Sequence, residues 1–97
     1  HDPRKQLTAV LREAIDWLAR PDNEFVWSHW DNADEAVAEL RMHIEAIEGG
    51  ALPPKHDLEI LFAPTGSIQE VSVSSGWGDA FIALASRFDE ALQRAYR

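Results

Sequence analysis

Glu39 and His43 are the residues whose types and spacing come closest to those of a metal site. They are four residues apart and would share one face of a helix, and zinc accepts both carboxylate and imidazole ligands. A third ligand would have to come from Asp31, His56 or Asp57. No H-E-x-x-H or paired-histidine motif supports such a site, and we expect Glu39 and His43 to form a solvated pair on the helix surface. We therefore predict no physiological metal site and no cofactor, and we keep a small metal-binding protein or enzyme using Glu39 and His43 as the alternative.

The segment S-S-G-W-G-D, residues 74–79, also resembles a reactive or ligand-binding loop. A nucleophilic serine there would need a histidine base and an oxyanion hole, and the G-x-S-x-G motif of such serines is absent. Glycine and aspartate are typical of helix ends. We interpret the segment as a hinge, in which Gly76 adopts a left-handed turn, Trp77 packs between two helices and Asp79 caps the last helix.

Three large aromatic side chains are concentrated in E-F-V-W-S-H-W-D, residues 24–31. Phe25, Trp27 and Trp30 can either close the core or anchor a partner, because large aromatics bury much area at little rotamer cost. A chain of 97 residues has little other aromatic mass from which to build a core. We therefore favour core closure, with at least one of the three rings left exposed on a candidate interaction surface.

The charge of the chain is acidic and unevenly distributed. It contains 17 acids and 9 Lys or Arg, a formal net charge of −8. Residues 24–59 contain nine acids against Arg41 and Lys55. Nucleic-acid binding requires a basic stripe, and the only basic cluster is Arg4–Lys5. We therefore expect no nucleic-acid partner.

The acidic segment leads to the main functional hypothesis, a non-enzymatic interaction module that binds a basic protein partner. Its acidic candidate surface residues are Asp34, Glu35, Glu39 and Glu45. A homodimer that buries an aromatic or helical face is compatible with this hypothesis.

Composition favours a single globular domain over residues 1–97. The absence of cysteine excludes disulfides and thiolate zinc sites and is compatible with the cytoplasm. No apolar run of about eighteen residues and no secretory leader are visible, so we expect a cytoplasmic protein without a membrane partner.

Helical spacing and capping residues predict a mainly α bundle of four to five helices. The first helix should run over residues 3–19, after Asp2. The next should begin after Asn32, which forms a capping box with Glu35, and end at Gly49–Gly50.

The stretch from 58 to 75 is ambiguous. Pro64 must end a short element at residues 58–62. Ser67 with Glu70 has the spacing of a capping box, which favours a helix, whereas alternating valines and serines favour a strand. We prefer a short helix, and an α+β fold with a hairpin of 58–62 and 68–74 is the alternative.

Four segments of the C-terminal part resemble small uncharacterised bacterial proteins. These segments are L-F-A-P-T-G at 61–66, I-Q-E at 68–70, S-S-G-W-G at 74–78 and R-F-D at 87–89. The resemblance implies a bacterial source, and it implies no activity and no catalytic or ligand-binding residue.

Overall fold

Five α-helices make up the protein, for which a computed structural model describes residues 2–96. They are α1 (Pro3–Leu18), α2 (Ala33–Glu48), α3 (Lys55–Glu59), α4 (Ser67–Ser74) and α5 (Gly78–Ala95), with a 3₁₀ turn (Ile60–Phe62) directly after α3. Residues 2–96 form one all-α domain and contain no strand. The predicted mainly α fold is therefore confirmed, and the alternative hairpin of 58–62 with 68–74 is wrong.

Polar side chains begin the two first helices as predicted. Asp2 accepts a hydrogen bond from the Arg4 backbone N–H, and Asn32 accepts one from the Glu35 N–H, each at 3.0 Å. These bonds satisfy donors that the first helical turn leaves without partners. In the usual capping box the Glu35 carboxylate would accept from the backbone N–H of the cap residue Asn32. Here it accepts from the N–H of the preceding residue, Asp31, at 3.3 Å.

Left-handed glycines end α2 and α4. Gly50 has φ of 89° and Gly76 has φ of 85°. After α4, the Gly76 N–H donates to the Val73 carbonyl and the Trp77 N–H donates to the Ser72 carbonyl, at 3.4 and 2.8 Å. This is the Schellman pattern, whose left-handed position favours glycine because a side chain there is strained. The left-handed turn predicted at Gly76 is confirmed.

Residues 67–74 form a helix because their buried side chains follow helical spacing. Ile68, Val71 and Ser72 are completely buried, and Val73 is exposed. The buried positions are i, i+3 and i+4, which one face of a helix brings together and a strand would place on opposite faces. The valine–serine alternation is therefore not the pattern that determines this element.

Two predicted caps are wrong. Ser67 was expected to cap α4 with Glu70, but it is the first residue of the helix, and its hydroxyl bonds to His29 instead. Asp79 was expected to cap α5, but the helix begins one residue earlier, and Trp77 occupies the cap position. No side-chain capping bond is made at the start of α4 or α5.

The predicted packing of Trp77 against neighbouring helices is confirmed. Its side chain is 5% exposed, and its ring stacks on the ring of Trp17 from α1 at 5.1 Å between centroids. Its indole N–H donates to Asn23 Oδ1 at 2.8 Å. Trp77 therefore joins the α4–α5 turn to the end of α1 through both packing and a hydrogen bond.

The core is centred on α1, which packs against both α2 and α5. Phe62 of the 3₁₀ turn stacks on Phe88 of α5 at 4.1 Å. The completely buried side chains come from all five helices, so no helix is peripheral to the core; the largest are Phe88, Leu7, Leu11, Leu18, Leu40, Leu58, Ile68 and Val71.

Polar contacts along α1 and α5 are consistent with their antiparallel packing. Gln6 near the start of α1 accepts from Arg94 near the end of α5 at 3.5 Å, and Glu13 pairs with Arg87 through both guanidinium nitrogens. The hydrogen bond from Arg87, aided by its charge, holds the pKa of Glu13 below its ordinary value although desolvation opposes this. Both side chains are about half exposed, so solvent screens the attraction between them.

Candidate interaction surface

Two large apolar side chains project from the connection between α1 and α2, residues 19–32. Trp27 is 73% exposed and Val26 is 70% exposed. They lie at the tip of a turn that ends at Ser28. The backbone N–H of Ser28, at 3.0 Å, and its hydroxyl, at 2.8 Å, both donate to the Phe25 carbonyl and close this turn. The exposed pair is therefore carried by a hydrogen-bonded turn.

The start of this connection is attached to the rest of the fold. Asn23 donates to the Trp17 and Leu18 carbonyls at 2.6 and 3.0 Å, and it caps the end of α1 by doing so. The Glu24 N–H donates to the Ser75 hydroxyl at 2.8 Å. Ser75, one of the two serines of the 74–79 segment, thus accepts a hydrogen bond that joins the connection to the end of α4.

Aromatic packing also attaches the connection on both sides of the exposed tip. Phe25 packs against the core, and Trp30 is only 3% exposed. The prediction that these aromatics close the core, with at least one ring exposed, is therefore confirmed. The exposed ring is Trp27.

His29, Ser67 and Glu39 form a hydrogen-bonded chain beside the turn. Ser67 Oγ lies within hydrogen-bond distance of His29 Nδ1 and also accepts from the His29 backbone N–H at 3.2 Å. His29 Nε2 lies 3.2 Å from Glu39 Oε1, and the Trp30 indole N–H donates to the same oxygen at 3.3 Å. Sequence reasoning missed this cluster, because its members lie far apart in the chain and match no motif.

A serine, a histidine and a carboxylate in this order are the parts of a nucleophilic triad. A working triad also needs space for a substrate beside the serine oxygen. Two cavities of about 570 and 850 Å³ are large enough for a substrate, and neither is lined by Ser67 or His29. The Ser67 oxygen also accepts from the His29 backbone N–H at 3.2 Å. The hydrogen bonds of the cluster connect residues 29 and 30 to α2 and α4.

The structure divides the acidic candidate residues into two groups. Asp34, Glu35 and Glu45 are exposed on α2, whereas Glu39 is partly covered by the connection and accepts the two hydrogen bonds described above. Arg41 lies on the same outer face, since it is seven residues after Asp34 and four before Glu45. The acidic face of α2 is therefore interrupted by a cation.

The Glu39–His43 pair does not have the exposed position expected from the sequence. His43 is buried on the face of α2 that carries Leu40, Ile44 and Ile47 into the core, so the expectation of a solvated pair is wrong. Glu39 is directed to His29 and Trp30. Within residues 2–96, no three His, Asp or Glu side chains are grouped closely enough to hold a metal ion.

A surface depression of about 570 Å³ adjoins the exposed tip. Val26 and Phe25 line it, as do the acids Glu24 and Asp31 and the base Arg20. The guanidinium of Arg20 lies 4.7 Å from the centroid of the Trp17 ring, which directs this cation toward α1. The depression thus combines an apolar wall with two carboxylates.

Comparison with protein-family models, curated proteins and solved structures finds no match to this chain. The resemblance of the four C-terminal segments to small bacterial proteins stays a prediction. Within residues 2–96, none of the helices combines the length and the apolar character that a bilayer-spanning segment needs.

Proposed function

We propose that the protein is a non-enzymatic interaction module that binds a basic protein partner around Trp27. The observation that supports this most strongly is the 73% exposure of Trp27 in a turn whose flanking aromatics, Phe25 and Trp30, pack into the fold. Exposure of a tryptophan in a segment without other contacts would not indicate a binding site. Here the backbone on either side is fixed by packing and hydrogen bonds, and the indole still projects outward.

A fixed and exposed tryptophan is suited to binding for an energetic reason. Association costs free energy when a loop must become ordered, and a turn that is already ordered avoids most of that cost. An indole buried at an interface removes a large apolar area from water, and tryptophan is among the residues most enriched at binding hot spots. Val26, also exposed, would extend the same apolar contact.

The basic character of the partner is inferred from the charges around the tip. Glu24 and Asp31 line the depression beside Val26, and Asp34 and Glu35 follow in the first turn of α2. A partner carrying Lys or Arg next to an apolar anchor site would match this arrangement. Exposed charges of this kind mainly accelerate association and select partners, and salt screens them.

Affinity capture from the native host with wild type and Trp27→Ala tests the proposal. We expect wild type to recover basic proteins, and we expect Trp27→Ala to lower recovery by about tenfold or more, as for a hot-spot residue. Association with the recovered partner should slow as ionic strength rises. Met42→Gln is the matched control, because Met42 is exposed on α2 and lines neither this depression nor the other large groove of the surface.

Two results would count against the proposal. One is recovery of the same partners by Trp27→Ala and wild type. The other is a set of partners that are acidic or neutral and that bind at a rate independent of salt. Far-UV circular dichroism of each variant shows whether a loss of recovery reflects lost contact or lost fold.

A further inference from the structure

A second surface, unrelated to Trp27, lies where the 3₁₀ turn, α4 and α5 meet. It is an open groove of about 850 Å³. Phe62 and Phe81 lie at its base, nearly buried, with their rings 6.1 Å apart and close to parallel. Val73 of α4 and Ile82 of α5 line it and are 61% and 66% exposed. The solvent-exposed apolar surface of the groove therefore comes mainly from Val73 and Ile82.

Beside its buried stripe, α5 presents a second line of residues to the groove. One stripe of this helix, including Phe81 and Phe88, is buried in the core. A second line runs beside it through Gly78, Ile82, Ala85 and Asp89, with spacings of four, three and four residues, and faces the groove. This line covers twelve residues, or about 18 Å at 1.5 Å per residue, which is the length of about three helical turns.

The charges lining the groove are all of one sign. Glu59, Asp79 and Asp89 line it, and no Lys or Arg is among its described lining residues. Arg87 lies two residues before Asp89, but it pairs with Glu13 on the α1 side of the helix. An occupant with Lys or Arg beside an apolar stripe would satisfy both the carboxylates and the exposed aliphatic side chains.

A second copy of the chain fits the groove poorly. Two-fold pairing of this surface would bring Glu59, Asp79 and Asp89 close to the same three acids of the other copy. The net charge of −8 would add to that repulsion. Charge complementarity therefore favours a partner of opposite sign over self-association.

We propose that the groove formed by the 3₁₀ turn, α4 and α5 binds an amphipathic helix of a partner protein, with the apolar stripe of that helix on Phe62, Phe81, Val73 and Ile82. Basic residues beside the stripe of the bound helix contact Glu59, Asp79 and Asp89. This is the helix-in-groove mode of recognition, in which residues at i, i+3 or i+4, and i+7 supply the anchors. It does not depend on the Trp27 surface, with which it shares no lining residue.

The test uses a fluorescein-labelled peptide of about four helical turns, with leucines at i, i+4 and i+7 and lysines beside that stripe. Its binding is measured by fluorescence anisotropy. Two control peptides are a scrambled version, which has the same composition without a stripe, and a version with every lysine replaced by glutamate. We expect saturable binding of the first peptide and about tenfold or more weaker binding of both controls.

Variants of the protein connect this binding to the groove. Val73→Gln with Ile82→Gln should weaken binding by about tenfold or more, because two exposed aliphatic contacts are lost while glutamine is tolerated on a helix surface. Asp79→Asn with Asp89→Asn should weaken binding and reduce its salt dependence. Met42→Gln is the matched control, since Met42 is exposed on α2 and does not line the groove.

The proposal is wrong if the Val73/Ile82 variant binds the peptide as wild type does, or if the glutamate peptide binds as well as the lysine peptide. It is also wrong if sedimentation shows a wild-type dimer that the Val73/Ile82 substitutions dissociate, because the occupant would then be a second copy. Trp27→Ala should leave peptide binding unchanged. Failure here is therefore distinguishable from failure of the Trp27 proposal.

Discussion

Replacing Trp77 should cost a large part of the stability of the fold. The side chain is 5% exposed, and burial of about 150–250 Å² of a tryptophan at about 25 cal/mol per Å² gives roughly 4–6 kcal/mol as an upper figure. Measured Trp→Ala changes in cores cost about 3–5 kcal/mol. For a domain of this size, with about 5–15 kcal/mol in total, Trp77→Ala should remove about a fifth or more of the stability.

The structure separates this cost into packing and hydrogen bonding. Trp77→Phe keeps much of the stacking on Trp17 but removes the indole N–H that Asn23 Oδ1 accepts. That bond is worth about 1 kcal/mol, with an added cost if the Asn23 oxygen lacks a donor. We therefore expect about 1–2 kcal/mol for Trp77→Phe and 3–5 kcal/mol for Trp77→Ala.

Urea unfolding followed by far-UV circular dichroism measures both values from the midpoint and slope of the transition. Trp27→Ala is the control, because Trp27 is largely exposed and its loss should change stability by no more than about 0.5 kcal/mol. An unchanged midpoint for Trp77→Ala would refute the hinge role of this residue. Equal losses for Trp77→Phe and Trp77→Ala would show that the hydrogen bond, and not the buried area, dominates.

Three further predictions concern charged groups. Because the folded protein lowers the pKa of Glu13, the Glu13–Arg87 pair contributes stability above the unfolded pKa of Glu13 and loses it as pH falls through the lowered folded pKa. In urea unfolding, the free energy of unfolding of wild type should thus exceed that of Arg87→Met by less than about 1 kcal/mol at neutral pH, and the difference should vanish in acid. A difference that persists in acid would contradict the pairing of Glu13 with Arg87 as its cause. Glu39→Lys should destabilise the fold by about 1–3 kcal/mol because the His29 and Trp30 donors lose their acceptor. The control Asp34→Lys should leave the free energy of unfolding nearly unchanged. Equal unfolding midpoints for the two variants would show that Glu39 is only a surface charge. Chelator should leave the melting temperature unchanged, and stoichiometric zinc in untagged protein that is lost in His43→Ala would overturn the prediction of no metal site.

Much of the fold could be predicted because local chemistry specifies it. Asn32 accepts the hydrogen bond that begins α2, and Gly76 permits the left-handed turn after α4. Pro64 excludes helical geometry for Ala63, which is extended with ψ of 148° and ends the 3₁₀ turn. Each of these effects acts over a few residues, so a single sequence is enough to reveal it.

The errors occurred where distant residues compete for the same group. Ser67 has the spacing of a cap, but His29, far away in the sequence, takes its hydroxyl. Glu39 has the appearance of a surface acid until the preceding connection folds over it. His43 could have been assigned to the core, because it lies at i+3 from Leu40 on the buried stripe of α2.

The candidate surfaces were only partly predictable for a related reason. Residues in an irregular connection have no periodicity, so the sequence could not show that Trp27 projects while Trp30 is buried. The groove beside α5 is formed by three separate elements, and its exposed aliphatic residues, Val73 and Ile82, are ordinary members of helical patterns when each is considered alone.

The antiparallel contact between α1 and α5 has a consequence for synthesis on the ribosome. The helix at the centre of the core, α1, is made before the other four helices, and its partner α5 is made after the other four, so the apolar stripe of α1 has no complete covering until the chain has been extended through Leu92. Contacts between residues so far apart in the sequence form late and slow folding. A nascent chain that ends before Gly78 should therefore leave part of the apolar stripe of α1 exposed and become a substrate for chaperones that bind apolar segments.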